Sequence, residues 1–108
     1  MSGTKFDQGK PSISLVPSEA LIGMTRALDY GAKKYGRYNY RDGIEHSRIL
    51  DAALRHIFAI LGGEDTDPES GLPHLHHALA SLAMLEWMRV NRPDLNNLYD
   101  YSKAAKHE

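Results

Sequence analysis

The chain has 108 residues, 42% of them hydrophobic and 25% charged, with a formal net charge of −1 and no cysteine. That length suits one small domain with a modest core, and the near-neutral charge excludes a general electrostatic grip on a nucleic-acid polymer or a membrane surface. The lack of cysteine excludes disulfides, thiolate catalysis and cysteine-held zinc; with no signal-like opening and no apolar run of membrane length, the expected compartment is the cytoplasm.

Residues 1–17 carry Gly3, Gly9, Pro11 and Pro17 around a short Ile13-Ser14-Leu15 alternation, which predicts an extended arm with little structure of its own. Lys5, Asp7 and Lys10 could reach a ligand from it. The simpler expectation is that Phe6, Ile13 and Leu15 pack on the helices. The first helix is predicted from Ser18, read as its N-cap with Glu19 in the first turn, to Tyr35. Leu21, Met24, Leu28, Ala32 and Tyr35 recur at spacings of three and four and make one core stripe. Gly36 ends the helix, and Lys33 and Lys34 before it either complement the helix dipole or bind a polyphosphate.

The loop from Arg37 to Gly43 interleaves Tyr38 and Tyr40 with Arg37, Arg41 and Asn39. Its stacking faces and amide suit a nucleobase. A second helix is predicted over 46–61, with Ile49, Ala53 and Ile57 in one apolar row and Leu50, Leu54, Phe58 and Leu61 in another. Arg48, Asp51 and Arg55 share the remaining stripe. Asp51 and Arg55 are spaced for an intrahelical ion pair, yet Arg55 and His56 also stand close enough to the following corner to hold phosphate, which the planar guanidinium matches.

That corner, 62–77, is the most unusual stretch. It gathers Glu64, Asp65, Asp67 and Glu69 within six positions and His74, His76 and His77 within four. Hard carboxylate oxygens are what Mg²⁺ and Mn²⁺ prefer, so the four acidic residues are candidate metal ligands; an acidic connector favouring the next helix N-terminus is the plain alternative. Pro68 and the late glycine exclude an EF-hand, and His-Glu-x-x-His is absent. A third helix is predicted from Pro73 to Asn91 with Leu75, Ala78, Leu79, Leu82 and Leu85 in its core. His74 and His77 share one face, and His76 is expected at the surface. Met84, Trp87 and Met88 form a second apolar patch of the kind buried in a homo-oligomer. From Asp94 a short fourth helix is expected to fade into a charged tail. The sum is an all-α bundle of three main helices in a single domain over 1–108.

Tyr30-Gly-Ala-Lys-Lys-Tyr-Gly36 followed by Asn39, then Arg55-His56, then the run from Gly63 to Ala78, resemble a phage-rich family: the N-terminal domain of dATP/dGTP diphosphohydrolases. The likeness runs from about Lys5 to Trp87. It implies kinship with the MazG-type all-α pyrophosphohydrolases, which use Mg²⁺ or Mn²⁺ to cut a nucleoside triphosphate to monophosphate and pyrophosphate, and so a role in the deoxynucleotide pool of an infected bacterium. Of the MazG-type carboxylate pattern, only Glu64-Asp-Thr-Asp67 has a counterpart here.

Two functional readings follow. In the first, Glu64, Asp65, Asp67 and Glu69 hold the metal. Lys33, Lys34, Arg55 and His56 take the phosphates, Tyr35, Tyr38 and Asn39 hold the base, and His74 or His77 moves the proton. In the second, the same pocket sequesters a nucleotide without turnover, such as a cyclic or modified signalling nucleotide of a bacterial anti-phage defence system.

Overall fold

The computed structural model describes residues 2–102. Its framework is α1 (Ser18–Tyr35), α2 (His46–Leu61) and α3 (His74–Asn91), with single 3-10 turns at Ile13–Leu15, Asn39–Asp42 and Pro93–Leu95. Among the described residues the only β-pairing is one isolated bridge between Thr66 and Pro73. The all-α expectation and the three helix spans hold, within one residue at each end. No described helix is long and apolar enough to cross a membrane.

The helix ends follow local chemistry with two departures. Pro17 supplies the N-cap backbone of α1, and Ser18 is its first helical residue, its hydroxyl donating to Glu19 Oε1 at 3.0 Å. Pro73 likewise precedes α3. There the first helical N–H, that of His74, donates to the carbonyl of Asp65 at 2.9 Å, so the corner itself caps the helix. At α2, Glu45 provides no side-chain cap. Asn97 supplies one from the far end of the chain: its Oδ1 accepts from the Ser47 N–H at 3.0 Å, and its amide donates to Glu45 Oε2 at 2.9 Å and Ser47 Oγ at 2.8 Å. From Asn96 to Asp100 the C-terminal segment is an irregular strap after one 3-10 turn; Tyr101 and Ser102 are helical, and the rest of the expected fourth helix and the charged tail, from 103 on, lie outside the described residues.

Helix α3 packs along both α1 and α2, while those two scarcely meet. Small side chains allow the close approach: Ala27, Ala53, Ala78, Ala80 and Ser81 are buried, and among the described residues Met88 is the one large side chain fully enclosed. Gly23 lets α3 in from the other side. A Cβ there would stand 2.4 Å from His76 Nε2, so the His76 ring is wedged between α1 and α3 and not at the surface as expected. Its buried Nδ1 has no hydrogen-bond partner.

The expected core stripes are only partly covered. On α1 the buried positions are Gly23 and Ala27, one residue off the predicted row; Leu21 is 52% and Tyr35 63% exposed. On α2, Ile49 and Ala53 are buried, whereas Leu54, Ile57, Phe58 and Leu61 stay exposed, as do Leu75 and Leu82 on α3. Periodicity identifies a shared face, but with α1 and α2 splayed on one central helix their outer flanks meet nothing. The arm does not pack either: Phe6, Ile13 and Leu15 are all largely exposed.

Candidate functional site

The gap between the splayed α1 and α2, floored by α3, is a cleft of about 1090 Å³. Tyr30, Lys34 and Tyr35 of α1 and Tyr38, Asn39 and Tyr40 of the following loop line one side. Arg48, Asp51, Arg55 and His56 of α2 line the other, His74, His77 and Ser81 of α3 the floor, and Asp67 and Glu69 of the corner its end.

The aromatic side is held rigidly. Tyr38 sits in the left-handed region at φ 64, the sole non-glycine described residue with positive φ, a conformation that persists only where neighbours enforce it. They do: the Arg41 guanidinium lies over the Tyr38 ring at 4.4 Å and within 5.3 Å of the Trp87 ring, and Tyr40 meets Trp87 edge-on at 5.6 Å. The loop is thereby docked on α3, with Tyr38 and Asn39 at the cleft edge.

The acidic corner is organised by Asp67. Its Oδ1 accepts the Glu69 N–H at 3.1 Å and its Oδ2 the Ser70 hydroxyl at 2.9 Å. The Asp67 backbone N–H reaches Leu72 O at 2.8 Å, and its carbonyl takes the Gly71 N–H at 2.8 Å. Gly71 closes the turn at φ 74. Burial pushes the Asp67 carboxyl up, but the Glu69 N–H, the Ser70 hydroxyl and the nearby His77 together hold it below the ordinary aspartate value. Glu69 pairs with Lys34 at 2.5 Å, which lowers the carboxyl and raises the ammonium; the Tyr30 hydroxyl, raised by desolvation and by the Glu69 charge, donates to the same oxygen at 3.4 Å.

Behind the corner lies a histidine cluster. His56 Nδ1 stands 2.8 Å from His74 Nδ1, and His74 Nε2 is 2.7 Å from Glu64 Oε1. His77 stacks on His56 with centroids 4.7 Å apart and planes 14° from parallel, and its Nε2 is 2.6 Å from Ser70 Oγ and 3.4 Å from Asp67 Oδ2. Burial lowers the His56 pKa, helped by the neighbouring His77 and His74. Burial also lowers that of His77, against the opposing pull of Asp67.

Of the residues selected from sequence, Lys34, Tyr35, Tyr38, Asn39, Arg55, His56, Asp67, Glu69, His74 and His77 line this one cleft; Lys33, Glu64 and Asp65 do not. The four carboxylates do not converge. Glu64 turns to His74, Asp67 braces its own loop, Glu69 pairs with Lys34, and Asp65 offers its carbonyl to α3. Among the described residues no group of three or more histidine or acidic side chains is arranged to hold a metal ion. The residues present therefore do not fit a carboxylate cage for Mg²⁺ or Mn²⁺. The expected Asp51–Arg55 ion pair is also absent among the described residues, so neither Arg48 nor Arg55 is in a salt bridge.

Sequence reasoning left Tyr30, Arg48, Ser70 and Ser81 out of the site. Spacing held signals for three of them: Arg48 is two helical turns before Arg55, Tyr30 one turn before Lys34, and Ser81 one turn after His77. Nothing local marks Ser70.

A family model described as "dATP/dGTP diphosphohydrolase, N-terminal" matches residues 1–98. A Salmonella phage PMBT28 protein named dATP/dGTP diphosphohydrolase is 41% identical over 93 residues, which is 86% of this chain and 32% of that protein. The chain thus spans about a third of that relative's length. No solved structure matches it. The cleft and its lining are those of a chain that belongs to the dATP/dGTP diphosphohydrolase N-terminal family.

Proposed function

We propose that the cleft binds the Mg²⁺ or Mn²⁺ complex of a purine deoxynucleoside triphosphate, which is hydrolysed to monophosphate and pyrophosphate in control of a phage-infected cell's nucleotide pool. The observation that carries this reading is the division of the cleft: two guanidinium groups without salt bridges, Arg48 and Arg55, stand on one side, and the Tyr35, Tyr38 and Asn39 surface on the other. Guanidinium forks complement phosphate oxygens, stacked aromatics accept a base face, and an amide both donates to and accepts from a base edge. The name of the phage relative supports the same substrate class.

In this reading the cation is part of the substrate, carried on the phosphate oxygens, and the chain supplies position and proton transfer. Arg55 and Arg48 orient the triphosphate, Lys34 adds positive charge when the phosphates compete for it with Glu69, and the histidine cluster takes a proton from the attacking water. The Met84, Trp87 and Met88 patch expected at a subunit contact is instead covered within the chain, Met88 fully and Trp87 by Tyr40 and Arg41, so the self-association in this proposal uses the exposed Phe58 and Leu61.

The lack of a carboxylate cage favours a second reading, sequestration of a nucleotide without turnover. One experiment separates them. The purified chain is incubated with dATP, dGTP and a panel of cyclic nucleotides, with Mg²⁺, Mn²⁺ or chelator, and both products and retained ligand are resolved by chromatography. Monophosphate and pyrophosphate formed only with metal are the expected result. Intact nucleotide recovered from the denatured protein would establish sequestration, and the absence of both results would refute nucleotide binding by this cleft.

A further inference from the structure

For neutral imidazole rings the hydrogen-bond directions in the histidine cluster follow from elementary valence. A carboxylate can only accept, so the 2.7 Å contact with Glu64 requires a proton on His74 Nε2. Two ring nitrogens 2.8 Å apart must be one donor and one acceptor. With His74 neutral and protonated at Nε2, its Nδ1 is the acceptor, and His56 Nδ1 carries the donated proton. The remaining nitrogen of neutral His56, Nε2, then bears a lone pair, and no described protein group hydrogen-bonds to it. His56 is half-buried and lines the cleft beside Arg55.

From these directions we infer that Glu64, His74 and His56 form a one-way relay whose open end, His56 Nε2, is the general base of the cleft. Glu64 and His74 are positioning residues. They hold His56 in the Nδ1–H tautomer, and the His74 lone pair remains hydrogen-bonded to His56 after it takes up a second proton. The inference deepens the proposed hydrolysis and rests on that reading. As His56 Nε2 takes a proton from water, the water oxygen forms a bond to the α-phosphorus. The bond from that phosphorus to the bridging oxygen breaks, and its electron pair leaves with pyrophosphate.

The charged and titratable groups around His56 suit the task. His74 and His77 face it from α3, Asp67 acts from the corner, and Arg55 adjoins it on α2. Burial and the three cationic or imidazole neighbours keep it neutral, and so able to accept a proton, at ordinary pH, while Asp67 moderates that effect. His77 is differently placed. The Ser70 hydroxyl, which donates to Asp67, can only accept from His77 Nε2, so the bare nitrogen of neutral His77 is Nδ1, adjacent to its own helix.

The test has two independent arms on the unaltered chain and two variants. Long-range proton–nitrogen NMR of the imidazoles is expected to show His56 as the Nδ1–H tautomer. An Nε2–H tautomer at His56 would overturn the relay whatever the activity. In the kinetic arm, His56→Asn keeps an amide donor toward His74 but has no base; dATP hydrolysis is expected to fall roughly 10²- to 10⁴-fold with dATP binding unchanged. Glu64→Gln is expected to move the acidic limb of the pH–rate profile to lower pH, which a purely structural role would not do. Retained hydrolysis in His56→Asn overturns the base assignment, and an unmoved limb in Glu64→Gln removes Glu64 from the relay. If the unaltered chain cleaves nothing while His56 shows the Nδ1–H tautomer, the nucleotide-cleavage reading and the base role fall together and the relay stands as a structural fact.

Discussion

Mild acid is the perturbation to which this chain should be most sensitive, and the histidine cluster sets the size of the effect. His56 and His77 both have folded pKa values below the ordinary 6.5. Above that pH both rings are neutral whether the chain is folded or not, and stability is level. Below it the unfolded chain binds protons that the folded chain refuses, so stability falls as the pH drops from 6.5 towards the folded values. Each refused proton costs at most about 1.4 kcal/mol per pH unit, and two rings give a ceiling of twice that, about 2.8 kcal/mol per unit. Solvent reaches part of both rings and screens their repulsion, so about 1 kcal/mol per unit for the pair is the working figure. Urea melts at half-unit steps from pH 7.5 to 5.5 read it directly. The His56→Asn, His77→Asn double variant should flatten the curve in that window. Asp67 and Glu69, whose values are lowered from the ordinary carboxyl range, add an acid-sensitive contribution only below about pH 5. Stability that is constant or rising from pH 6.5 to 5.5, or a slope that survives in the double variant, would refute the reasoning.

Two further outcomes test the site and the fold. Arg55→Ala should weaken dATP binding by roughly 10- to 100-fold and leave deoxyadenosine almost untouched, while Lys33→Ala, outside the cleft, should alter neither; calorimetric titration with both ligands decides, and equal loss for nucleoside and triphosphate would remove Arg55 from the phosphate site. Gly31→Ala meets nothing within 4 Å and should stabilise α1 by about 0.8 to 1 kcal/mol, whereas Gly23→Ala drives a methyl into the His76 ring and should give up that gain and more. Urea midpoints in the opposite order would contradict the close packing of α1 on α3.

The helix spans were legible because punctuation and period agree at each: Pro17, Gly36, Gly62 and Pro93 bracket runs with apolar residues at three and four. The cleft residues were legible from their chemistry, since Arg55, Tyr38, Asn39 and the paired histidines are unlike core or ordinary surface. What failed were inferences from proximity in sequence. Four carboxylates within six positions look like one site, but Glu64 goes to His74, Asp67 to its own turn and Glu69 to Lys34. Likewise His76 shares the corner's histidine run, yet one step along a helix rotates it by about 100°, away from the cleft and into the seam with Gly23. The cap that Asn97 places on α2, 50 residues away, has no local signature at all.

Because α1 and α2 are each fastened to α3 and scarcely to one another, the width of the cleft is a property of a single helix. The side chains at Ala80 and Ser81, both buried against the floor, act as shims between the two jaws. Family members could accept larger or smaller bases by exchanging those two residues, leaving the arginines, the aromatic loop and the histidines as they are. Selectivity by size and the chemistry of the site would then be separately adjustable, the first on the floor that α3 supplies and the second on the elements it holds apart.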